Sequence, residues 1–293
     1  MTGQKPTLTG KDILRADQFT RAEVELIMDT AHRFAEALQR RERLTNMEGL
    51  ILATLFFEPS TRTRLSFETA MLRLGGQVIT VADPKTSSAA KGESLADSIR
   101  TVEGYADLIV LRHPRIGAAE EAAQAARIPI INAGDGAGQH PTQALLDIYT
   151  IIREKGQVEG LTVALVGDLK HGRTVHSLVD LLALYGVDLL FVSPPALRMP
   201  SEITARLRER GLRVVETDDL AQAAAQADVL YVTRIQRERF ADQAEYERLR
   251  GSYVVDMALL RQAKPGITVM PVSYTHLRAH ETRHDLVCRL LLE

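Results

Sequence analysis

The sequence has little of several features that define whole classes of protein. Among its 293 residues there is one cysteine, Cys288, and no tryptophan, which excludes a disulfide framework or a cysteine-rich zinc site within one chain. Lysine and arginine total 36 against 38 acidic residues, a formal net charge of −2, which excludes a broadly basic nucleic-acid-binding surface. No apolar run approaches the roughly 20 residues that cross a bilayer, and the first residues have no signal-peptide core. We expect a cytoplasmic protein that binds neither nucleic acid nor membrane.

Short β-branched runs alternate with longer amphipathic segments along most of the chain. The predicted strands are Leu50–Phe57, Gln77–Ala82, Asp107–Arg112, Ile128–Asn132, Leu161–Gly167, Val187–Ser193, Leu212–Glu216, Asp228–Thr233, Tyr253–Asp256 and Ile267–Met270. Such alternation, with strands apolar on both faces, indicates parallel sheets covered by helices. The length allows two domains. The sequence therefore predicts an α/β protein with two Rossmann-like domains, each a parallel sheet flanked by helices.

A glycine-rich turn, Ala133–Gly138, and a helical pattern, His140–Lys155, separate the two series of strands. We place the first domain at residues 1–139 and the second at residues 140–270, with the helix at residues 140–155 as the link between them. Ligands of open α/β sheets bind beyond the carboxyl ends of the strands. The chemistry is therefore expected in a cleft between the two domains.

One segment, Phe57–Arg64 (FEPSTRTR), directly follows a predicted strand. Apolar residues at helical spacing over Phe67–Leu74 predict a helix that begins within or just after this segment and stops at Gly75 and Gly76. A helix N-terminus offers N–H donors and a positive dipole end, and hydroxyls and a guanidinium are added here, which suits a phosphate-like dianion. The alternative is that Ser60 or Thr61 only caps the helix and that the arginines are solvated.

A second segment, Gly138–Gln143 (GQHPTQ), stands at the start of the linking helix. His140 and Gln143 are three residues apart and share one helix face. An imidazole there can polarise a carbonyl, and the glutamine amide can bind an amine or amide group. The alternative is a structural histidine that only makes a hydrogen bond.

Three arginines, Arg112, Arg173 and Arg234, lie at or just after predicted strand ends, and Gln236 follows the last of them. Each alone is typical of a surface charge, but three at one cleft indicate a substrate with several anionic groups. A small polar loop, Ser87–Ser94 (SSAAKGES), is either mobile and functional or a plain surface loop.

Six segments, PSTRTR, SSAAKGES, LRHP, GQHPTQALLD, VGDLKHGRTVHS and TRIQRERF, resemble in order and spacing the catalytic chains of the aspartate carbamoyltransferase family, over residues 8 to 270. Six motifs in register are far more specific than any one of them. The resemblance implies transfer of the carbamoyl group of carbamoyl phosphate to the amino group of L-aspartate, giving N-carbamoyl-L-aspartate and phosphate in de novo pyrimidine biosynthesis. It implies no cofactor and no metal.

The resemblance also implies roles for individual residues. The residues implied to bind carbamoyl phosphate are Ser60, Thr61, Arg62, Thr63, Arg112, His140 and Gln143. Those implied to act in catalysis are Arg62, Thr63, His140 and Gln143, and those implied to bind aspartate are Lys91, Arg173, Arg234 and Gln236. Ser87 and Lys91 would arrive from a neighbouring subunit of a homotrimer with shared active sites. Whether a regulatory chain or a dihydroorotase joins that trimer is left open.

Three other functions fit the sequence less well. Ornithine carbamoyltransferase shares the STRTR and HPTQ elements, but it has a different motif in place of Arg234–Gln236 and no lysine in the loop of Lys91. The residues Arg234–Gln236 of this chain suit a dicarboxylate. A non-catalytic scaffold is expected to have lost Arg62, His140 or Arg234, and all three are present. A dinucleotide-binding turn needs G-x-G-x-x-G spacing, which the segment GDLKHG lacks.

After Met270 the resemblance stops, and we interpret residues 271–293 as an aberrant, non-native tail. His276, His280 and His284 recur every four residues there, a spacing adequate for a metal on one helix face. We expect no metal site, because the segment looks unrelated to the rest. Loss of the family's own C-terminal segment is expected to expose apolar surface and to lower stability or activity, which would leave a disabled scaffold.

Overall fold

A computed structural model of the chain describes residues 7–81, 92–233 and 253–271. The chain divides into two compact units, Met1–Leu146 (unit 1) and Asp147–Glu293 (unit 2). The division falls inside one helix, because residues on both sides of it belong to the helix Pro141–Lys155. None of the helices in the described ranges combines the length and apolar character that crossing a membrane requires.

Unit 1 alternates helices and strands in the order that the sequence predicts. Its elements are α1 (Arg21–Gln39), β1 (Ile51–Phe56), α2 (Thr61–Arg73), β2 (Gln77–Val81), α3 (Leu95–Val102), β3 (Leu108–His113), α4 (Ala118–Ala125), β4 (Ile130–Asp135) and the first part of α5 (Pro141–Lys155). The strands form one parallel sheet in the order β2-β1-β3-β4.

Unit 2 repeats the pattern with a larger sheet. Its elements after α5 are β5 (Thr162–Val166), α6 (Arg173–Leu182), β6 (Asp188–Val192), α7 (Ser201–Glu209), β7 (Val214–Thr217), α8 (Leu220–Gln226), β8 (Val229–Val232), α9 (Met257–Gln262) and β9 (Thr268–Pro271). The sheet is parallel throughout, in the order β7-β6-β5-β8-β9. Two parallel sheets, each flanked by helices, confirm the predicted fold class.

Side-chain alternation along β1 explains why helices cover both faces of the unit 1 sheet. Leu52 and Phe56 pack with Met71 of α2 on one face, whereas Ala53 and Leu55 pack with Ile99 of α3 on the other. Successive residues of a strand point to opposite faces, so the apolar residues of β1 are buried on both sides of the sheet. The helix α2, whose first turn contains the last residues of the FEPSTRTR segment, is therefore fixed against this sheet.

The structure differs from the prediction at Tyr253–Asp256, which forms no strand. Strand β9 pairs directly with β8, so no position beside β8 remains for another strand. Val255 is buried in the core of unit 2 without joining its sheet. The Asp256 side chain instead accepts a hydrogen bond from the Leu259 N–H and caps α9.

Candidate active site

The carboxyl ends of β1, β3 and β4 lie side by side in unit 1. Phe56 pairs with Arg112, and the Phe57 N–H donates to the Arg112 carbonyl at 2.8 Å. On the other side of β3, His113 pairs with Asp135 at the end of β4. Since the segments that follow β1 and β4 carry Ser60–Thr63 and His140, the parallel sheet collects most of the predicted residues at one edge.

The first turn of α2 holds four of the predicted residues. Ser60 precedes the helix, and its hydroxyl contacts the Thr63 hydroxyl at 2.9 Å instead of making a side-chain cap hydrogen bond within the described part of the chain. Thr61 and Arg62 are exposed to solvent, and the first turn contains no acidic residue. A first turn with N–H donors, a positive dipole end and adjacent hydroxyls favours an anion.

A polar cluster fixes α2 against the sheet. The Glu68 carboxylate of α2 lies 3.0 Å from the Thr54 hydroxyl of β1 and 2.8 Å from the Thr80 hydroxyl of β2. Thr54 is fully buried, so its hydroxyl requires a partner. These contacts hold the helix that begins at Thr61 at a set position over β1 and β2.

Arg112 is a buried cation next to this turn. Its side chain is 9% exposed, and its Nη2 lies 3.2 Å from Oε2 of Glu58. Glu58 belongs to the segment that joins β1 to α2. Nη1 donates to the Ala133 carbonyl of β4 at 3.1 Å. The guanidinium thus bridges the segment after β1 and the end of β4. Burial of an arginine requires such pairing, because an uncompensated buried charge is costly.

His140 and Gln143 stand at the start of α5. His140 is 6% exposed, and its carbonyl accepts hydrogen bonds from the N–H groups of Gln143 and Ala144 at 3.1 and 3.2 Å. The Thr142 hydroxyl lies 3.4 Å from Nδ1 of His140. His140 therefore directly precedes the first turn of α5, where its ring is held and largely shielded from solvent.

A second histidine, His113, lies at the same edge of the sheet as a neutral group. Burial, followed by the charge of Arg115, lowers the pKa of His113 below its usual value. Nδ1 of His113 accepts a hydrogen bond from the Arg115 N–H at 3.0 Å, which requires that this nitrogen be unprotonated. Its ring also packs on Phe57, with centroids 5.3 Å apart, and this contact stabilises the segment that leads to Ser60.

In unit 2, Arg173 is the first residue of α6 and follows the loop that leaves β5. Asp168 of this loop is 3% exposed. It accepts the His171 N–H at 3.0 Å with Oδ1, and Oδ2 lies 3.2 Å from Nδ1 of His171. Gly167 has φ of 113°, and a Cβ there would lie 2.5 Å from the Thr233 carbonyl. The loop before Arg173 is thus closely packed against the end of β8.

Several of the predicted site residues lie outside the part of the chain that the structure describes. Ser87, Lys91, Arg234 and Gln236 lie outside the described residues, as do His276, His280 and His284. Within the described ranges, no group of three or more His, Cys, Asp or Glu side chains is arranged to hold a metal. Two further residues at this edge had no predicted role: Glu58 of the FEPSTRTR segment and Asp135, the last residue of β4.

Comparison with known families gives two matches that together span most of the chain. The carbamoyl-phosphate-binding domain of aspartate/ornithine carbamoyltransferase matches residues 11–153, and the Asp/Orn-binding domain matches residues 159–275. The chain belongs to the aspartate/ornithine carbamoyltransferase family. The family predicted from six short motifs is thereby confirmed.

Relatives within the family share about half of their residues with this chain. The aspartate carbamoyltransferase catalytic subunit of Thermococcus gammatolerans is 53% identical over 284 residues, which span 96% of this chain and 92% of that protein. The corresponding subunit of Methanocaldococcus jannaschii is 54% identical over 246 residues, 84% of this chain and 80% of that protein. The coverage extends over both units.

Solved structures of the family have the same fold. Aspartate transcarbamoylase of Trypanosoma cruzi, in complex with carbamoyl phosphate and aspartate, aligns with a TM-score of 0.85 and 42% identity over 92% of this chain and 88% of that chain. The catalytic subunit of the M. jannaschii enzyme aligns with a TM-score of 0.83 and 52% identity over 89% of this chain and 85% of that chain. Fold and family therefore agree.

Proposed function

We propose that this protein is an aspartate carbamoyltransferase, a transferase that moves the carbamoyl group of carbamoyl phosphate to the amino group of L-aspartate in de novo pyrimidine biosynthesis. The observation that carries the proposal is the 53% identity to an aspartate carbamoyltransferase catalytic subunit across 96% of the chain. Residues 1–139 are proposed to bind carbamoyl phosphate and residues 140–270 to bind aspartate.

The phosphate of carbamoyl phosphate is proposed to bind at the start of α2. Ser60, Thr61, Arg62 and Thr63 supply hydroxyls, N–H groups and a guanidinium at a helix N-terminus, a combination that suits a dianion. Arg112 adds a second guanidinium, and its contact with the Ala133 carbonyl at 3.1 Å supports a fixed orientation for it. In this arrangement the carbamoyl carbon faces the residues that precede α5.

The carbonyl oxygen of the carbamoyl group is proposed to contact Arg62, Thr63 and His140, while Gln143 binds its amino group. The aspartate amine attacks a carbonyl that the phosphate leaving group has already activated, so no covalent enzyme intermediate is required. The C–N bond forms, the carbonyl oxygen carries negative charge in the tetrahedral intermediate, and the C–O bond to phosphate then breaks. The departing phosphate takes up the proton that the amine loses. Fixed donors around that oxygen supply the catalysis together with orientation of the two substrates.

Aspartate is proposed to bind through Arg173 and Arg234, one for each carboxylate, with Gln236 in support. The position of Arg173 at the first residue of α6 supports this role, since helix N-termini favour anions. Two guanidiniums select a dicarboxylate over ornithine, which has one carboxylate and an added cation.

The active enzyme is proposed to be a cytoplasmic homotrimer, in which Ser87 and Lys91 of each chain reach the site of a neighbour. Exposed apolar side chains support association through α2: Leu65 is 48% exposed and Leu72, seven residues further along the same helix face, is 59% exposed. Apolar groups clustered at a surface favour contact with another subunit. A regulatory chain or a dihydroorotase is a further proposed partner of the trimer.

The test is formation of ureido product from carbamoyl phosphate and either L-aspartate or L-ornithine by the purified full-length chain. Turnover with aspartate and none with ornithine is expected, and His140→Ala should lower kcat by about 100- to 1,000-fold, the usual effect of losing one oxyanion donor. Turnover with ornithine instead would overturn the choice of second substrate. An inactive wild-type chain that still binds phosphate would indicate the scaffold disabled by residues 271–293.

A further inference from the structure

Asp135 lies at the end of β4, and both oxygens of its carboxylate accept hydrogen bonds from backbone N–H groups. Oδ1 accepts from the Gln139 N–H at 2.6 Å and Oδ2 from the Gly117 N–H at 2.9 Å. The side chain is buried, with 2% of the residue exposed. Gln139 directly precedes His140, and Gly117 precedes the first residue of α4. One buried carboxylate therefore joins two separate segments at the edge of the sheet that carries the proposed site.

The turn between Asp135 and His140 is closed around this carboxylate. The Asp135 carbonyl accepts from the Gly138 N–H at 2.8 Å, and the Asp135 N–H donates to the Gln139 carbonyl at 3.3 Å. A Cβ at Gly138 would lie 2.8 Å from Oδ1 of Asp135, and one at Gly136 would lie 2.4 Å from the Pro114 carbonyl. Both glycines are thus required for the close approach of the turn to its neighbours.

The turn is also held from the other side. The Gln139 side-chain oxygen accepts from the Ala16 N–H at 3.2 Å, and the Gly136 N–H donates to the His113 carbonyl at 2.8 Å. The backbone on the N-terminal side of His140 is therefore fixed by several contacts, and the strongest acceptor among them is the Asp135 carboxylate.

We propose that Asp135 is the positioning residue of His140: it holds the turn that fixes where the imidazole meets the carbonyl oxygen of the substrate. This inference rests on the proposed function, because it assigns Asp135 a task in that reaction. Asp135 acts through the backbone and does not touch the substrate. Its loss should therefore reduce turnover through His140 and leave the binding of phosphate at α2 nearly unchanged.

An asparagine at this position cannot reproduce both hydrogen bonds. The amide keeps one acceptor oxygen, so its NH₂ group would face either the Gln139 or the Gly117 N–H. Two donors would then meet at less than 3 Å and the turn would shift. A displacement of about 1 Å at a catalytic group can cost about 100-fold in rate.

The experiment compares kcat and KM of the full-length chain carrying Asp135→Asn, His140→Ala or both. Asp135→Asn is expected to lower kcat by about 10- to 100-fold, with the carbamoyl phosphate KM within about threefold of wild type. In the His140→Ala background the same substitution should cost less than about threefold, since residues acting through one group are not additive. Asp12→Asn is the matched control. One oxygen of Asp12 accepts a hydrogen bond from the Ile130 N–H at 2.8 Å, and an asparagine oxygen can accept the same bond.

A second variant covers the case in which Asp135→Asn does not fold. Gly138→Ala keeps the carboxylate but displaces Oδ1, so it should reproduce the loss of kcat. Equal losses from Asp135→Asn with and without His140 would overturn the positioning role, as would a kcat within twofold of wild type. A wild-type chain that binds phosphate but gives no turnover would instead indicate the disabled scaffold, which overturns the proposed function and, with it, the task assigned to Asp135.

Discussion

The Glu58 carboxylate lies 3.2 Å from the Arg112 guanidinium, on the segment that joins β1 to α2. Arg112 is also the only one of the three strand-end arginines that lies within a described strand. A phosphate dianion that binds Arg112 must compete with this carboxylate or share the guanidinium with it. The ion pair compensates the charge of this buried cation.

Replacing Arg112 by alanine is expected to weaken phosphate binding. A hydrogen bond to a charged group contributes about 1.5–3 kcal/mol, so the dissociation constant of inorganic phosphate should rise by about 10- to 150-fold. Isothermal titration calorimetry measures it directly. Arg115→Ala is the control, because Arg115 is exposed and paired with Glu121. Equal weakening by both substitutions would show that only general charge matters.

Unit 2 contains a buried pair in which the Tyr231 hydroxyl donates to Oδ2 of Asp147 at 2.7 Å. Burial, together with the nearby Asp147, raises the pKa of Tyr231 well above its usual value, so the phenol remains a donor at every working pH. Tyr231→Phe should lower the free energy of unfolding by about 1–3 kcal/mol, because a buried acceptor loses a donor. Urea unfolding tests this, with exposed Tyr105→Phe as control. Equal midpoints for the two variants would contradict it.

His176 should make the free energy of unfolding depend on pH. Burial lowers the pKa of His176 below the usual 6.5, and Nε2 lies 2.8 Å from the Leu169 carbonyl, to which it donates. The unfolded chain then binds more protons than the folded one, so stability falls as the pH drops through 6.5. His176→Gln should reduce the loss of unfolding free energy between about pH 7.5 and 5.5.

The control for that measurement is His32→Gln, because the His32 side chain lies on the exposed side of α1. Urea unfolding at several pH values gives the slope for each variant. If His176→Gln and wild type lose the same stability over this range, another group is responsible for the acid sensitivity.

Gly167→Ala should be far more harmful than Gly160→Ala. Both glycines have positive φ, 113° and 73°, but a Cβ at Gly167 would lie 2.5 Å from the Thr233 carbonyl, whereas nothing lies within 4 Å of one at Gly160. The difference isolates the close approach and should amount to about 1–3 kcal/mol, the usual effect of overpacking. Thermal unfolding of the two variants measures it, and similar losses would mean that only φ matters.

Much of the fold was readable because a parallel strand buried on both faces is a continuous apolar run. The predicted strand Leu161–Gly167 matches β5 to within one residue at each end, and four of the five residues of β5 are buried. The strand predicted at Tyr253–Asp256 was wrong, because an apolar run indicates that a segment is buried but not that it pairs with another strand. Val255 is buried all the same.

The site could be read only in part. Ser60 and His140 were recognisable because each stands in a motif next to a strand end or helix start. Glu58 and Asp135 were missed because their importance depends on partners from other segments, Arg112 of β3 and Gly117 before α4. Pairings between distant segments follow from the sheet register, which no local pattern encodes.

The strand order of unit 1 also bears on how the protein is made. Because β1 occupies an interior position between β2 and β3, a chain that emerges from the ribosome amino end first exposes a strand that is apolar except at Thr54 before either neighbour exists. The edge that gathers Ser60, Arg112 and His140 is complete only after β4 has followed. Parallel pairing is non-local and therefore slow, so during synthesis this first strand is the part of unit 1 most exposed to aggregation.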